Sequence, residues 1–204
     1  MGVAEKLSEK KYTLEEYLEM EEKADFKSEF WNGRILAMAG GTPNHAKITN
    51  SIGTAIDNEL NKLNKDCSVY SSDVKVFLPN SEKIVYPDCM VLCGDEEYKE
   101  ESKNIITNAS LIIEVLSKST KEYDKTTKFD SYRSMLSFKE YVLVWQTIPK
   151  VQSWYKEEEN LWRISNAFGL DQSIPLYSLG CEIILSDIYK RVKELGEEEL
   201  LDSY

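Results

Sequence analysis

Two acidic side chains in apolar surroundings are the residues of this sequence best suited to chemistry. Asp88 follows Tyr-Pro in a β-rich stretch, and Glu114 is the one charged residue in the run Ser-Leu-Ile-Ile-Glu-Val-Leu. Burying a carboxylate costs free energy unless a cation or a hydrogen-bond donor meets it, and carboxylates on neighbouring strands also repel each other. A divalent metal ion removes both costs, and Mg²⁺ prefers oxygen ligands of this kind.

A lysine follows these acidic residues in a segment with helical periodicity, residues 121–135. Asp124 and Lys128 are four residues apart and therefore project from one face of the predicted helix. If the helix packs against the strand that carries Glu114, the Lys128 ammonium reaches the metal. There it orients an attacking water molecule or neutralises charge that develops on a phosphate.

Each of these residues also has an ordinary structural explanation. Asp88 can cap a turn after proline, and Glu114 can form a buried salt bridge, with Lys128 as one partner. Lys128 can instead pair with Asp124 on a solvated helix face. The spacing alone does not decide between these explanations and catalysis.

Three further residues complete the set of candidate site residues. Glu29 precedes an Asn-Gly pair that predicts a tight hairpin, so it lies on a strand, where it either pairs with Arg34 or approaches the site. His45 is the only histidine and is either structural or in contact with substrate. Lys125, like Lys121, belongs to a basic series that faces either a phosphate or solvent, and both compete with the preferred catalytic lysine.

Capping signals and periodicity predict the elements that position these residues. Thr13 and Glu16 form a capping box for a helix over about 14–23, and Thr42-Pro43 begins a second helix that ends near Asn64. The apolar run before and after Glu114 is typical of a strand that is covered on both faces. Strands are predicted at 68–78, 83–92, 110–116, 141–145, 151–155 and 161–165, and a final helix at 186–195.

Length and composition limit the class of protein. A chain of 204 residues with 42% hydrophobic residues predicts one domain over 1–204, with flexible tails at about 1–11 and 197–204. The sequence has no signal peptide and no apolar stretch that would span a bilayer, which predicts a cytoplasmic protein without a membrane partner. The four cysteines form no C-x-x-C pair, so we expect reduced thiols.

The net charge of −11 argues against a nucleic-acid partner, because phosphate binding normally leaves a basic footprint. A local basic groove, or a bound cation, can supply the missing positive charge. The charge therefore weakens this class of partner without excluding it.

The order of Glu29, Pro87-Asp88, Glu114-Val115-Leu116 and Lys128 resembles the PD-(D/E)XK nuclease superfamily and, within it, the Uma-type restriction endonuclease family. The resemblance extends from the Tyr-Thr-Leu-Glu-Glu-Tyr opening to the final Ile-Ile-Leu run. The sequence departs from the superfamily at Leu116, which stands where the E-x-K lysine would be. Uma-type proteins resemble this chain there and supply the lysine from the following helix, which implies Lys128.

The resemblance implies a restriction-endonuclease-like α/β fold, in which a mixed central β-sheet is flanked by helices. It also implies a homodimer and a Mg²⁺- or Mn²⁺-dependent endonuclease that hydrolyses DNA by in-line attack of a metal-activated water. The implied roles are metal binding by Asp88, Glu114 and the Val115 carbonyl, action on water or phosphate by Lys128, an outer-ligand role for Glu29, and substrate contact by His45 and Lys125.

Two alternatives stay open, and the choice between DNA and RNA stays open with them. The first is a catalytically silent dimer of the same fold that acts as a nucleic-acid-binding or scaffold module, which the acidic charge and the missing E-x-K lysine favour. The second is a metal-free hydrolase that uses Asp88 and Glu114 as an acid/base pair, as glycosidases do.

Overall fold

The computed structural model describes residues 10–100, 102, 104–117 and 124–196. The strands in this part of the chain are β1 (Ser28–Trp31), β2 (Arg34–Ala37), β3 (Cys67–Ser71), β4 (Lys75–Leu78), β5 (Lys83–Val85), β6 (Cys89–Cys93), β7 (Ile105–Ile106), β8 (Leu111–Leu116), β9 (Glu140–Trp145), β10 (Lys150–Glu158), β11 (Leu161–Phe168), β12 (Ser173–Leu176) and β13 (Cys181–Ile184). The α-helices are α1 (Leu14–Lys23), α2 (Pro43–Lys62), α3 (Phe129–Tyr132) and α4 (Leu185–Tyr189). A 3₁₀ turn (Pro79–Ser81) follows β4, and a π-helical turn (Asp124–Lys128) leads directly into α3. The predicted tails, apart from Lys10 and Lys11, and Lys121 lie outside the described residues.

The central sheet has six strands in the order β11-β10-β9-β8-β6-β3. Its β8 and β9 are parallel and its other neighbouring strands are antiparallel, so the sheet is mixed, as predicted. A second sheet has five strands in the order β2-β1-β5-β4-β7. Strands β12 and β13 pair with each other in a separate two-stranded sheet.

Strand β8 is covered on both faces, which confirms the prediction from its apolar run. All six of its residues are buried. On one face, Ile113 and Val115 pack with Ile48 and Ile52 of α2. On the other face, Ile112 and Leu116 belong to a cluster that contains Phe129, Tyr132 and Met135. The central sheet is thus held between α2 and the helical segment that follows β8.

The two helix starts that were predicted from capping signals are confirmed. The Thr13 side chain accepts from Glu16 N and the Glu16 side chain accepts from Thr13 N, which completes the capping box. Thr42 caps α2 by accepting from His45 N, and Pro43 occupies the first helical position, where its missing N–H costs nothing.

Two predicted strands are each two strands that belong to different sheets. The stretch 68–78 divides into β3 and β4, and the stretch 83–92 divides into β5 and β6. Tyr86-Pro87-Asp88 therefore lies in the break between two strands and not in the middle of one. Proline has no N–H to donate to a ladder, and the chain changes sheets at this point.

Other corrections concern the helices and short strands. The described part of the predicted helix 121–135 is a π-helical turn followed by the short α3. The final helix is short and begins at Leu185, without a side-chain cap from Ser186. Strands β7, β12 and β13 were missed because they are only two to four residues long.

The prediction of reduced thiols is wrong for two of the four cysteines. Cys67 on β3 and Cys93 on β6 form a disulfide, and they are direct partners in the antiparallel register. They are 26 residues apart in sequence, so only the pairing of their strands reveals the bond. Cys89 and Cys181 are free thiols.

Among the described residues, no helix combines the length and the apolar character needed to cross a membrane.

Candidate active site

Four elements meet at the end of β8 and bring the predicted carboxylates together. Cys89 on β6 pairs with Ile113 on β8 in antiparallel register, so the next position on each strand places Asp88 beside Glu114. The π-helical turn that carries Lys128 lies over this end of the sheet, and the N-terminus of α2 brings His45 to it. The site is thus assembled from segments that are far apart in sequence.

Asp88 is held by one backbone and one side-chain group. Its Oδ2 accepts a hydrogen bond from Val115 N at 2.7 Å and lies 3.0 Å from His45 Nε2. The hydrogen bond to Asp88 raises the pKa of the His45 imidazole, although partial burial opposes this effect. Asp88 therefore does more than cap a turn, because it links the β8 backbone to α2.

Glu114 and Lys128 form a buried ion pair. Lys128 Nζ lies 2.8 Å from Glu114 Oε1, and the two residues are 7% and 2% exposed. The Tyr132 hydroxyl donates to the same Oε1 at 2.9 Å. The structure thus contains the salt bridge that was the structural alternative, but places it directly beside Asp88.

Burial and charge oppose each other within this pair. Burial raises the pKa of Glu114 well above its usual range, and Lys128 acts in the opposite direction. Burial lowers the pKa of Lys128, but the nearby carboxylates, with Glu114 first among them, outweigh it and keep the ammonium protonated. Burial also raises the pKa of Tyr132, which therefore stays a hydrogen-bond donor.

Lys128 lies in the π-helical turn and faces the sheet, not solvent. Its Nζ is 4.0 Å from Asp124 Oδ1, and both residues are buried, so the two form no solvated surface pair. The Tyr141 hydroxyl on β9 donates to the Asp124 carbonyl at 3.0 Å. A π-helical turn adds a residue to the turn and is often found at functional sites.

Glu29 lies on β1 and is directed towards this site. Its Oε1 accepts from Tyr86 N at 3.3 Å and its Oε2 accepts from Trp31 Nε1 at 2.9 Å. Its charge contributes to the raised pKa of Lys128. The hairpin register pairs Glu29 with Leu36, so the alternative cross-strand pairing with Arg34 is wrong.

Lys125 lies near the same end of the sheet but at a different contact. Its ammonium is 5.1 Å from the centre of the Trp145 ring. Trp145 is the parallel partner of Leu116, two residues beyond Glu114 along β8. The substrate-contacting role of Lys125 stays a prediction.

Gly41 makes room for the His45 ring. A Cβ added at Gly41 would lie 3.0 Å from His45 Nδ1, whereas a Cβ at the adjacent Gly40 would have no atom within 4 Å. A methyl group at position 41 therefore pushes against the imidazole that contacts Asp88, and a methyl group at position 40 does not.

We expect Gly41→Ala to weaken the contact between His45 and Asp88 and to lower the imidazole pKa towards the ordinary value of about 6.5. The chain has a single histidine, so an NMR titration follows one imidazole signal without assignment. Gly40→Ala is the matched control and should titrate as the wild type does. Identical titrations of all three proteins would contradict the close contact between Gly41 and His45.

Sequence reasoning missed two residues that support the site. It also cannot exclude a third residue, a buried glutamate, as a site candidate. Gln146 and Thr42 are hydrogen-bonded to each other beside the site, and sequence indicated only the helix-capping role of Thr42. Glu140 is a buried carboxylate on β9, but the structure explains it: it accepts from Ser153 and from the backbone and hydroxyl of Ser178. A buried acidic residue is thus a site candidate when it has too few hydrogen-bond donors around it, or when one of its partners is a cation.

The oxygen ligands present fit a divalent cation, although they form no complete cage. Among the described residues, no group of three or more His, Cys, Asp and Glu side chains is arranged to hold a metal. Mg²⁺ needs only one or two carboxylates, since water and substrate phosphate complete its octahedron. Val115 N points to Asp88, and in an extended strand the N–H and C=O of one residue point to the same side, so the Val115 carbonyl also faces Asp88. Lys128 is the competitor of a metal for Glu114 Oε1.

Comparisons with known proteins show the family of this chain. A family model described as "Uma2: Putative restriction endonuclease" matches residues 14–186. The uncharacterized protein sll1609 of Synechocystis is 33% identical over 162 residues, which cover 79% of this chain and 90% of the relative. The uncharacterized protein slr1290 of the same organism is 34% identical over 180 residues, which cover 88% and 92%.

A solved structure shares the fold. The crystal structure of "a putative nuclease belonging to DUF820" from Anabaena variabilis superimposes with a TM-score of 0.67 at 16% identity, covering 88% of this chain and 98% of the other. This match confirms the predicted restriction-endonuclease-like α/β fold. With the family match over residues 14–186, it follows that the chain belongs to the Uma2 family.

Proposed function

We propose that this chain is a divalent-cation-dependent endonuclease that hydrolyses the phosphodiester bonds of DNA. The observation that carries the proposal is the meeting of Asp88 and Glu114 from adjacent strands with the buried Lys128 ammonium, 2.8 Å from Glu114 Oε1. Two comparisons support the nuclease class: the chain belongs to a family described as "Putative restriction endonuclease", and it shares its fold with a protein described as "a putative nuclease".

Asp88, Glu114 and the Val115 carbonyl would hold Mg²⁺ or Mn²⁺. When bound there, the ion would lower the pKa of a bound water and neutralise charge on the phosphate. Hydrogen bonds from Val115 N and from His45 fix the Asp88 carboxylate in its orientation. The hydrogen bond from the Tyr132 hydroxyl likewise orients the Glu114 carboxylate.

Lys128 would supply the positive charge that acts on the reacting groups. The ammonium has three donors, and Glu114 uses only part of this capacity. A second N–H would orient the attacking water or donate to a non-bridging phosphate oxygen, where charge builds up in the transition state. Glu29 adds a negative charge that helps to keep Lys128 protonated. His45 and Lys125 are proposed to contact the phosphates on either side of the phosphodiester bond that is cut.

A second candidate function is a nucleic-acid-binding module without turnover. Two observations favour it. Lys128 already occupies Glu114 Oε1 as an ion-pair partner, and the described residues form no group of three or more metal-binding side chains. In that case the ion pair is a structural element of the core. Binding of DNA without cleavage would distinguish this module from the nuclease.

We expect the purified protein to nick supercoiled plasmid when Mg²⁺ or Mn²⁺ is added and to leave it intact in excess EDTA. The reason is that the proposed metal ion is needed to lower the pKa of the attacking water. Conversion of supercoiled to open-circular DNA on agarose gels measures this. A preparation of Glu114→Gln made in parallel controls for contaminating nucleases. Absence of nicking with either metal, combined with a gel shift of the plasmid, would contradict the nuclease proposal and support the binding module.

The homodimer, which the family resemblance implies, and the cytoplasmic location remain predictions.

A further inference from the structure

Hydrogen bonds and one stretch of peptide chain form a closed circuit that includes two of the proposed metal ligands, Asp88 and Val115. We call it the hydrogen-bond ring, and its members are Asp88, Val115, Leu116, Gln146, Thr42 and His45. Asp88 Oδ2 accepts from Val115 N, and the peptide chain continues to the Leu116 carbonyl. Gln146 Nε2 donates to that carbonyl at 3.1 Å, and Gln146 Oε1 accepts from the Thr42 hydroxyl at 2.6 Å.

The remaining two bonds of the ring return to Asp88. Thr42 Oγ1 accepts from His45 N at 3.1 Å, and His45 Nε2 lies 3.0 Å from Asp88 Oδ2. The ring therefore ties together the break before β6, the ends of β8 and β9, and the first turn of α2. A displacement of any one member is transmitted to Asp88 from two directions.

Gln146 acts in the ring as both a hydrogen-bond donor and an acceptor. It is 9% exposed, so water cannot substitute for a lost partner. The Leu116 carbonyl requires a donor, and the Thr42 hydroxyl, which accepts from His45 N, donates to Gln146. Only an amide offers a donor and an acceptor at this reach, since Glu lacks the donor and Leu lacks both.

We infer that Gln146 is a positioning residue for the proposed metal site: through Leu116 it fixes the Val115 peptide, and through Thr42 it fixes His45, so that both hold Asp88. This inference rests on the proposed function for its chemical purpose but not for its geometry. Groups that hold ligands in place typically change metal affinity about 10- to 100-fold when they are removed.

The test uses Gln146→Leu, Thr42→Val and Thr42→Ser, with Mn²⁺ as the probe. We expect Gln146→Leu to shift the single imidazole Cε1–H resonance of the metal-free protein at fixed pH. Its Mn²⁺ affinity in titration calorimetry should fall about 10- to 100-fold. Thr42→Val, which is isosteric but has no hydroxyl, should do the same. Thr42→Ser, which keeps the hydroxyl, should restore the wild-type resonance and affinity.

Two control variants separate this role from general stability. Thr13→Val removes the equivalent cap of α1, where Thr13 Oγ1 also accepts at 3.1 Å from the third residue of its helix. Gln152→Leu removes an amide that donates to Asn166 on the exposed side of β10. Thr13→Val should lower the urea midpoint as Thr42→Val does, and neither control should change the His45 resonance or the Mn²⁺ affinity.

The inference is overturned if Gln146→Leu and Thr42→Val keep both the wild-type resonance and the wild-type Mn²⁺ affinity. If Gln146→Leu does not fold, the Thr42 pair decides. Plasmid cleavage by the wild type is measured in parallel. A wild type that cuts no DNA, while these variants still lose affinity and shift the resonance, would refute the nuclease and leave the positioning role standing.

Discussion

Replacing Glu114 with glutamine is expected to lower the rate of plasmid nicking at least about 1000-fold, on the order of 4 kcal/mol of transition-state stabilisation. The substitution keeps the shape of the side chain and removes the charge that binds both the proposed metal and Lys128. Gel-based nicking rates at saturating Mg²⁺, normalised to the folded fraction by circular dichroism, measure the effect.

Glu140→Gln is the matched control for this loss. Glu140 is also a fully buried glutamate on the central sheet, but its partners are hydroxyl and backbone groups of Ser153, Tyr177 and Ser178. An amide can accept at only one of its two terminal atoms, so we expect Glu140→Gln to reduce stability and to leave the rate per folded molecule unchanged. Equal losses of rate in both variants would show that Glu114 acts through the fold and not through the chemistry.

Replacing Lys128 with methionine is expected to destabilise the protein by about 3–5 kcal/mol, because it leaves a buried carboxylate without its cation. In this variant the cation that opposes the effect of burial on the pKa of Glu114 is gone, so this pKa should rise further. Urea unfolding at neutral pH measures the stability. Cleavage should be lost as well.

The double variant Lys128→Met/Glu114→Gln separates structure from function. Removal of both charges also removes the desolvation cost, so we expect it to regain most of the stability lost in the single variant. It should remain unable to cut DNA. A stable but inactive double variant would show that the ion pair is kept for chemistry, whereas a double variant as unstable as Lys128→Met would support a purely structural pair.

The parts of the site that sequence could predict are those where an unusual residue interrupts a strong pattern. Glu114 stands out because its neighbours are apolar, and Asp88 and Lys128 follow from their order relative to it. The structure brings the three together, although their catalytic roles remain predictions. The two capped helix starts were also predictable, since Thr13 and Thr42 satisfy backbone groups within three residues.

What sequence could not predict depends on long-range pairing. Gln146 and Thr42 are 104 residues apart, and nothing in either local segment indicates their hydrogen bond. The disulfide between Cys67 and Cys93 depends on the register of β3 with β6. Strands β5 and β6 look continuous because both are apolar, and only Pro87 marks the point where the chain leaves one sheet for the other.

The parallel pairing of β8 with β9 has a consequence for the growing chain on the ribosome. A parallel pair requires a long crossover, and here the crossover carries Lys128. Phe129 and Tyr132 of that crossover pack against Tyr141, which lies on β9. We therefore expect Lys128 to be fixed beside Glu114 only after β9 has been synthesised and docked: a nascent chain that ends before this strand contains Lys128 but lacks Tyr141, against which its helical segment packs.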